Sequence, residues 1–140
     1  DGMLMPIIKD KVNSLGLDDA VIFLGKTLKV SQYLQGMDLF LLPSLHEGLP
    51  VVLVEAQAAG LTCVVSDTVA KEADLTESSV FLPIDSVAPW VEVVKKLGYK
   101  KRNREEGSTN NIALIKEKGY DIEQNADKLR QIYVNACEGR

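Results

Sequence analysis

Apolar positions Leu4, Ile8, Val12 and Leu15 recur at helical spacing, and Gly16 follows as a natural stop. Residues 20–24 form a short continuous apolar run ended by Gly25, which predicts a buried strand. Val30, Tyr33, Leu34 and Met37 make a second helical stripe that closes near Gly36. Residues 38–42 are strand-like and are stopped by Pro43. The spacing predicts a helix over 50–59, with Pro50 at its first position and Gly60 just past its end. Thr62–Ser66 is β-rich, and residues 80–82 read as a short last strand. Ser86 can cap a helix carrying Val87, Trp90, Val91, Val94 and Leu97. The polar stretch 100–118 has a helical pattern. Asp121 with Gln124 resembles a capping box, opening a last helix with Ile122, Ala126, Leu129, Tyr133 and Ala136 on one face.

The strands are apolar on both faces and helices separate them. That pattern predicts an α/β class: a doubly wound parallel sheet flanked by helices, with right-handed crossovers. At 140 residues, 46% hydrophobic and 26% charged, the chain has the size and composition of a single globular domain over 1–140. A net charge of −4 argues against general nucleic-acid binding. No apolar run approaches the length of a membrane span, and Asp1-Gly2-Met3 carries no basic leader pattern. Cys63 and Cys137 form no Cys-x-x-Cys and read as packing thiols in a reduced, cytoplasmic compartment. His46, the single histidine, excludes a multi-histidine metal site.

In such sheets ligands sit outside the carboxyl ends of the strands. The most informative junction follows residues 38–42: Pro43-Ser44-Leu45-His46-Glu47-Gly48-Leu49-Pro50, then the helix. Gly48 permits a tight turn or close ligand approach. Pro50 presets the helix, leaving the N–H groups of Val51 and Val52 open at its positive end, an anion site suited to a phosphate or pyrophosphate. Glu47 and Glu55 frame it. Val51, Val52, Val54, Ala56, Ala58 and Ala59 surround Glu55 and predict its partial burial. A ribose diol can supply the hydrogen-bond donors that such a carboxylate needs. Glu47 is placed to meet hydroxyls of a sugar beyond the phosphates. Diol, pyrophosphate and sugar contacts in one line have the shape of a nucleotide-sugar.

Glu47-Gly48-Leu49-Pro50-Val51-Val52-Leu53-Val54-Glu55-Ala56 resembles the glutamate–seven residues–glutamate motif of retaining glycosyltransferases, especially family 4. Asp1-Gly2 is similar to the end of that family's Gly-Asp-Gly turn, and Val21-Ile22-Phe23-Leu24-Gly25 to its V-x-F-L-G strand. Ala58-Ala59-Gly60 and Val64-Val65-Ser66-Asp67 are similar to its next helix and strand. The likeness covers residues 1–85 well and is nearest in flavour to bacterial capsular and exopolysaccharide enzymes. It implies the Rossmann-like C-terminal half of a two-domain B-type fold. By the same resemblance Glu55 would bind the donor ribose and Glu47 the donor sugar, as the candidate catalytic residue. The backbone of Gly48, Leu49, Val51 and Val52 would hold sugar and diphosphate, and Phe23, Leu24 and Gly25 would lie near the base. No metal or cofactor is implied beyond the nucleotide-diphosphate sugar itself. The acceptor, a saccharide or a lipid-linked saccharide, would be bound by an N-terminal domain upstream of Asp1. The chain therefore reads as a truncated donor half without turnover on its own.

Blander readings stand beside these. His46 reads as a loop residue and Glu72 as solvent surface. Ser44 and Asp67 follow strands, where ligand contact and turn formation are equally served. The basic cluster Lys95, Lys96, Lys100, Lys101, Arg102 and Arg104 reads as a solvated helix face, with peripheral contact to anionic lipid at the inner face of the cell membrane as the second reading. The stripe with Trp90 reads as core, or as a face for an N-terminal domain. Two rival functions share the architecture: a nucleotide-sugar epimerase, disfavoured by the single histidine, and a non-catalytic nucleotide-binding module.

Overall fold

The computed structural model describes residues 2–98 and 104–138. The chain divides into two compact units, Asp1–Val30 and Ser31–Arg140.

In the first unit, helix α1 (Met5–Ser14) starts with Pro6 in its first turn. Gly16, at φ 65°, ends it: its N–H donates to the Asn13 carbonyl and that of Leu17 to the Val12 carbonyl. That pair of bonds is the Schellman arrangement, which requires a left-handed residue where glycine stands. Leu4, Ile8 and Leu15 of the predicted stripe are exposed and α1 buries no residue fully. The strand expected over 20–24 does not form. No described strand pairs with this segment, Ile22 is 81% exposed, and Phe23 and Leu24 are exposed as well. An apolar run without a ladder partner has nowhere to place its backbone hydrogen bonds and stays irregular.

In the second unit, helix α2 (Val30–Gly36) buries Leu34 and leads to strand β1 (Leu39–Leu42). Helix α3 (Val51–Ala58) leads to β2 (Thr62–Ser66), and a single 3₁₀ turn, Lys71–Ala73, leads to β3 (Ser79–Leu82). All three strands are parallel in the order β1-β2-β3, with Phe40 beside Cys63 and Val64 beside Val80. β2, bonded on both sides, is buried along its whole length. The sheet is flanked by helices, so the α/β class holds, although no α-helix separates β2 from β3. α3 packs on β2 and on α5 (Arg104–Glu117), while α4 (Ala88–Gly98) touches β1. Val87, not Ser86, provides the first helical acceptor of α4, taking the N–H of Val91. Trp90 is half-buried and donates its indole N–H to the Pro83 carbonyl at 2.8 Å.

α6 (Ile122–Glu138) is capped as expected. Asp121 Oδ1 accepts the N–H groups of Glu123 and Gln124, each at 3.0 Å, and Oδ2 pairs with Lys116 at 2.9 Å. The Lys116 hydrogen bond, followed by that of the Gln124 N–H, holds the Asp121 carboxyl below the usual aspartate range. The apolar face of α6 buries nothing fully. Among the described residues no helix is long and apolar enough to cross a membrane.

Candidate functional site

The junction between β1 and α3 is organised by the two faces of α3. Leu53, Ala56 and Gln57 lie at i, i+3 and i+4 and are fully buried. Val51, Glu55, Ala58 and Ala59 follow at i, i+4, i+7 and i+8 on the opposite side. Glu55, Ala58 and Ala59 of that second face line a cleft of about 570 Å³, shared with Ser31 and Gln35 of α2 and with Ser108, Thr109 and Ile112 of α5. The volume falls within the range of small-molecule sites.

Glu55 is exposed, so its expected partial burial is overturned. Of the apolar neighbours that suggested it only Ala56 is fully buried; Val51, Ala58 and Ala59 share the face of Glu55, opposite Leu53 and Gln57. Among the described residues no protein group hydrogen-bonds its carboxylate. Pro50 is buried with φ −74° and ψ 92°, outside the helical region, so it is the N-cap and not the first helical residue. Its carbonyl accepts the Leu53 N–H at 2.9 Å. Among the described residues the N–H groups of Val51 and Val52 have no protein partner, as the first turn of a helix dictates. Val51 is exposed and Val52 half-buried, one helical turn before Glu55.

The loop between β1 and α3 is tied down from within the unit. Ser44 donates its hydroxyl to Glu47 Oε1 at 2.8 Å, which holds the half-buried Glu47 carboxylate in place. The Ser44 carbonyl in turn accepts the hydroxyl of Ser66, at the end of β2, and that of Thr68 at 2.7 Å. His46 is an exposed loop residue, and Asp67 extends the sheet by donating its N–H to the Leu82 carbonyl at 2.9 Å. Glu72 is exposed on the 3₁₀ turn. Gly48 does not have a positive φ, and a Cβ there would meet nothing within 4 Å. No turn constraint therefore demands glycine at this position. Leu49 is exposed beside it.

Glu47, Gly48, Leu49, Val51 and Val52 follow one another in the loop and first helical turn after β1, and Glu55 lies about one turn further along α3, in the cleft shared with α2 and α5. Phe23, Leu24 and Gly25 belong to the first unit, where Phe23 lies 5.7 Å below the Lys9 ammonium and Gly25 has φ 66°. Lys95 and Lys96 are exposed at the end of α4; Lys100, Lys101, Arg102 and the side chain of Arg104 lie outside the described residues, as does Asp1. Cys63 is buried, but Cys137 is exposed on α6, contrary to the packing role expected for both thiols.

Sequence reasoning missed two features. Gln57 is fully buried, with its amide satisfied at both ends. Nε2 donates to the Leu53 and Ala73 carbonyls at 3.1 and 2.9 Å, and Oε1 accepts the N–H and hydroxyl of Thr76, each at 3.1 Å. The register Leu53, Ala56, Gln57 would have placed it on the buried face. The Ser44, Ser66 and Thr68 contacts join residues more than 20 positions apart, and no local pattern announces them.

An acid-framed helix mouth at the end of a parallel strand invites comparison with known proteins. The profile of the family described as Glycosyl transferases group 1 matches residues 1–98. A Bacillus subtilis (strain 168) protein named "Putative glycosyltransferase EpsF" is 35% identical over 138 residues, covering 95% of this chain and 34% of that protein. The lipopolysaccharide core biosynthesis mannosyltransferase LpsB of Rhizobium meliloti (strain 1021) is 25% identical over 130 residues, 90% of this chain and 37% of its own length. An Escherichia coli UDP-Gal:alpha-D-GlcNAc-diphosphoundecaprenol alpha-1,3-galactosyltransferase is 38% identical over 68 residues, 48% of this chain and 18% of that enzyme. The chain spans about a third of the length of the relatives it matches most fully. With the profile covering more than half of the chain, including the whole Glu47–Glu55 junction, the chain belongs to the group 1 glycosyl transferases.

Proposed function

We propose that the chain binds the nucleotide-diphosphate sugar that donates the glycosyl group in a retaining, metal-independent transfer. The observation that carries the reading is the pairing on α3 of a Glu55 carboxylate with Val51 and Val52 amides one turn earlier, none of which has a protein partner among the described residues. Glu55 accepts hydrogen bonds from the ribose diol. The amides and backbone of Gly48, Leu49, Val51 and Val52 hold diphosphate and sugar. Glu47 meets the sugar hydroxyls. In the transfer, the bond from the anomeric carbon to the diphosphate oxygen breaks and a bond to an acceptor hydroxyl oxygen forms. The diphosphate leaves with the electron pair, and its departing oxygen takes up the proton of the acceptor hydroxyl. Negative charge grows on the diphosphate, where the helix amides stabilise it without reorganising.

Two of the relatives, named for lipopolysaccharide core biosynthesis and for transfer to a diphosphoundecaprenol-linked sugar, support a saccharide or lipid-linked saccharide as acceptor; we place the transfer at the cytoplasmic face of the membrane. Exposed Lys95 and Lys96 suit peripheral contact with anionic lipid there. Family membership favours transfer over epimerisation. The test is calorimetric titration of the full-length protein with UDP, GDP and ADP and their glucose conjugates. One nucleotide should bind, and Glu55→Ala should weaken it by about 30-fold or more through the loss of two charge-assisted hydrogen bonds. Equal affinity in parent and variant would remove Glu55 from the site.

A further inference from the structure

We propose that Ser44 is a positioning residue that aims the Glu47 carboxylate, and that Ser66 and Thr68 hold Ser44 in place from the end of the neighbouring strand. The inference rests on the reading of Glu47 as the sugar-facing acid and adds the device that fixes its direction.

Three observations converge. Ser44 Oγ lies 2.8 Å from Glu47 Oε1 and 3.4 Å from the His46 carbonyl, so its one proton is best placed on the carboxylate. The Ser44 carbonyl accepts from both Ser66 and Thr68, which uses both of its lone pairs. Ser66 is fully buried in β2, the strand bonded on both sides and the most enclosed part of the sheet. The peptide that carries Ser44 is therefore anchored to a rigid element, while its side chain reaches an acid on the adjoining loop. A glutamate has three rotatable bonds, and a loop alone leaves them free. One charge-assisted hydrogen bond from a fixed donor selects a rotamer in advance. Thr68 is exposed, so it reinforces the anchor from the solvent side.

The position of the bond predicts a separable effect. UDP lacks the sugar that Glu47 meets, so misdirecting Glu47 should spare UDP affinity and slow turnover of a UDP-sugar. The experiment uses the full-length protein and the nucleotide that the calorimetric titration selects. For UDP the panel is UDP-glucose, UDP-galactose and UDP-N-acetylglucosamine; if GDP or ADP binds instead, the matching GDP- or ADP-sugars take their place. Nucleotide release reads turnover, and calorimetry reads nucleotide binding. With the best donor of the panel, Ser44→Ala should lower kcat by about tenfold, the usual worth of one hydrogen bond to a charged group. Its Kd for UDP should stay within about twofold of the parent value. Ser44→Thr, which keeps the hydroxyl, should restore most of kcat. Thr68→Val should lower kcat by about threefold, since Ser66 still holds the carbonyl, and Thr68→Ser should recover it.

Glu47→Gln is the reference. If it lowers kcat while Ser44→Ala does not, the positioning role is overturned and the reading of Glu47 survives. If Glu47→Gln leaves turnover unchanged, Glu47 is not the sugar-facing acid and the positioning role falls with it. If Ser44→Ala weakens UDP binding in step with turnover, Ser44 supports the fold of the loop and does not aim the acid.

Discussion

Two apolar pentapeptides in this chain look alike and end differently. Thr62–Ser66 becomes the central strand, with Cys63, Val64 and Val65 fully buried, whereas residues 21–25 stay irregular and leave Ile22 81% exposed. Their composition does not separate them: both carry a run of β-branched and apolar residues ended by a small or polar one. What separates them is the ladder. β2 has β1 on one side and β3 on the other, so every residue of it has a paired neighbour. Residues 21–25 have no described strand beside them. Hydrophobicity makes a segment able to be a strand, and a partner for its N–H and carbonyl groups decides whether it becomes one.

The sharpest way to test that contrast is to truncate one large apolar residue in each environment. Leu53 is fully buried on the face of α3 that covers β2, and Leu53→Ala should destabilise the protein by about 3 kcal/mol through lost transfer energy and a residual cavity. Ile22→Ala removes a similar volume from a residue already in water, and should change stability by less than about 0.5 kcal/mol. Urea denaturation of the two variants and the parent gives both numbers. Equal losses would mean that residues 21–25 are held as firmly as the sheet.

A second test concerns polar, not apolar, contents of the buried side. Gln57 links α3 to the segment after β2 through three hydrogen bonds, one to the Ala73 carbonyl and two from Thr76, and makes a fourth to the Leu53 carbonyl within α3. Gln57→Met keeps the volume but leaves the Ala73 carbonyl and the Thr76 N–H without their partner. Burying such unpaired groups should cost about 2 kcal/mol, less than the Leu53 cavity and more than any exposed substitution. Stability unchanged in Gln57→Met would show that the segment after β2 repacks freely and that the linkage is incidental.

The sequence made the second unit more legible than the first, for reasons visible in particular residues. β2 was read with its observed bounds, and β1, α3 and β3 within one residue at each end, because Pro43, Pro50 and Gly60 punctuate the chain where the backbone changes direction. Gly60, at φ 73°, adopts a conformation that few other residues tolerate. The Asp121 cap was legible because an N-cap is a local event. The junction of Glu47 through Glu55 was legible as a string, and its open amides follow from where the helix starts. The direction of Glu55 was not. Apolar neighbours in sequence say only that a helix has a buried face, and Glu55 lies on the face opposite Leu53 and Gln57. The anchoring of Ser44 by Ser66 and Thr68 was invisible because it depends on which strand lies next to β1, a tertiary fact.

A pH-dependent effect separates the two thiols. Burial, and after it the negative charge of Asp74, pushes the Cys63 thiol up to about 12, while Cys137 is exposed on α6. The folded protein thus keeps the Cys63 proton over a range in which the unfolded chain releases it. The sign follows: with the folded value raised, stability from this group is complete below the ordinary thiol value of about 8.5 and declines as pH rises toward the folded value. The decline should approach about 1 kcal/mol for each pH unit in that window. Cys63→Val removes the titrating group at nearly constant volume, so the difference in urea midpoint between parent and variant, followed from pH 8 to pH 10, isolates it from tyrosine and lysine titration. A difference that stays flat with pH would place Cys63 in contact with water. The same contrast appears in thiol labelling at neutral pH. Cys137 should react at once with a disulfide reagent, and Cys63 only after denaturation, because a buried thiol is both inaccessible and protonated. Two fast thiols in the native protein would mean that the middle of β2 opens readily, and the difference between the two pentapeptides would then be one of degree.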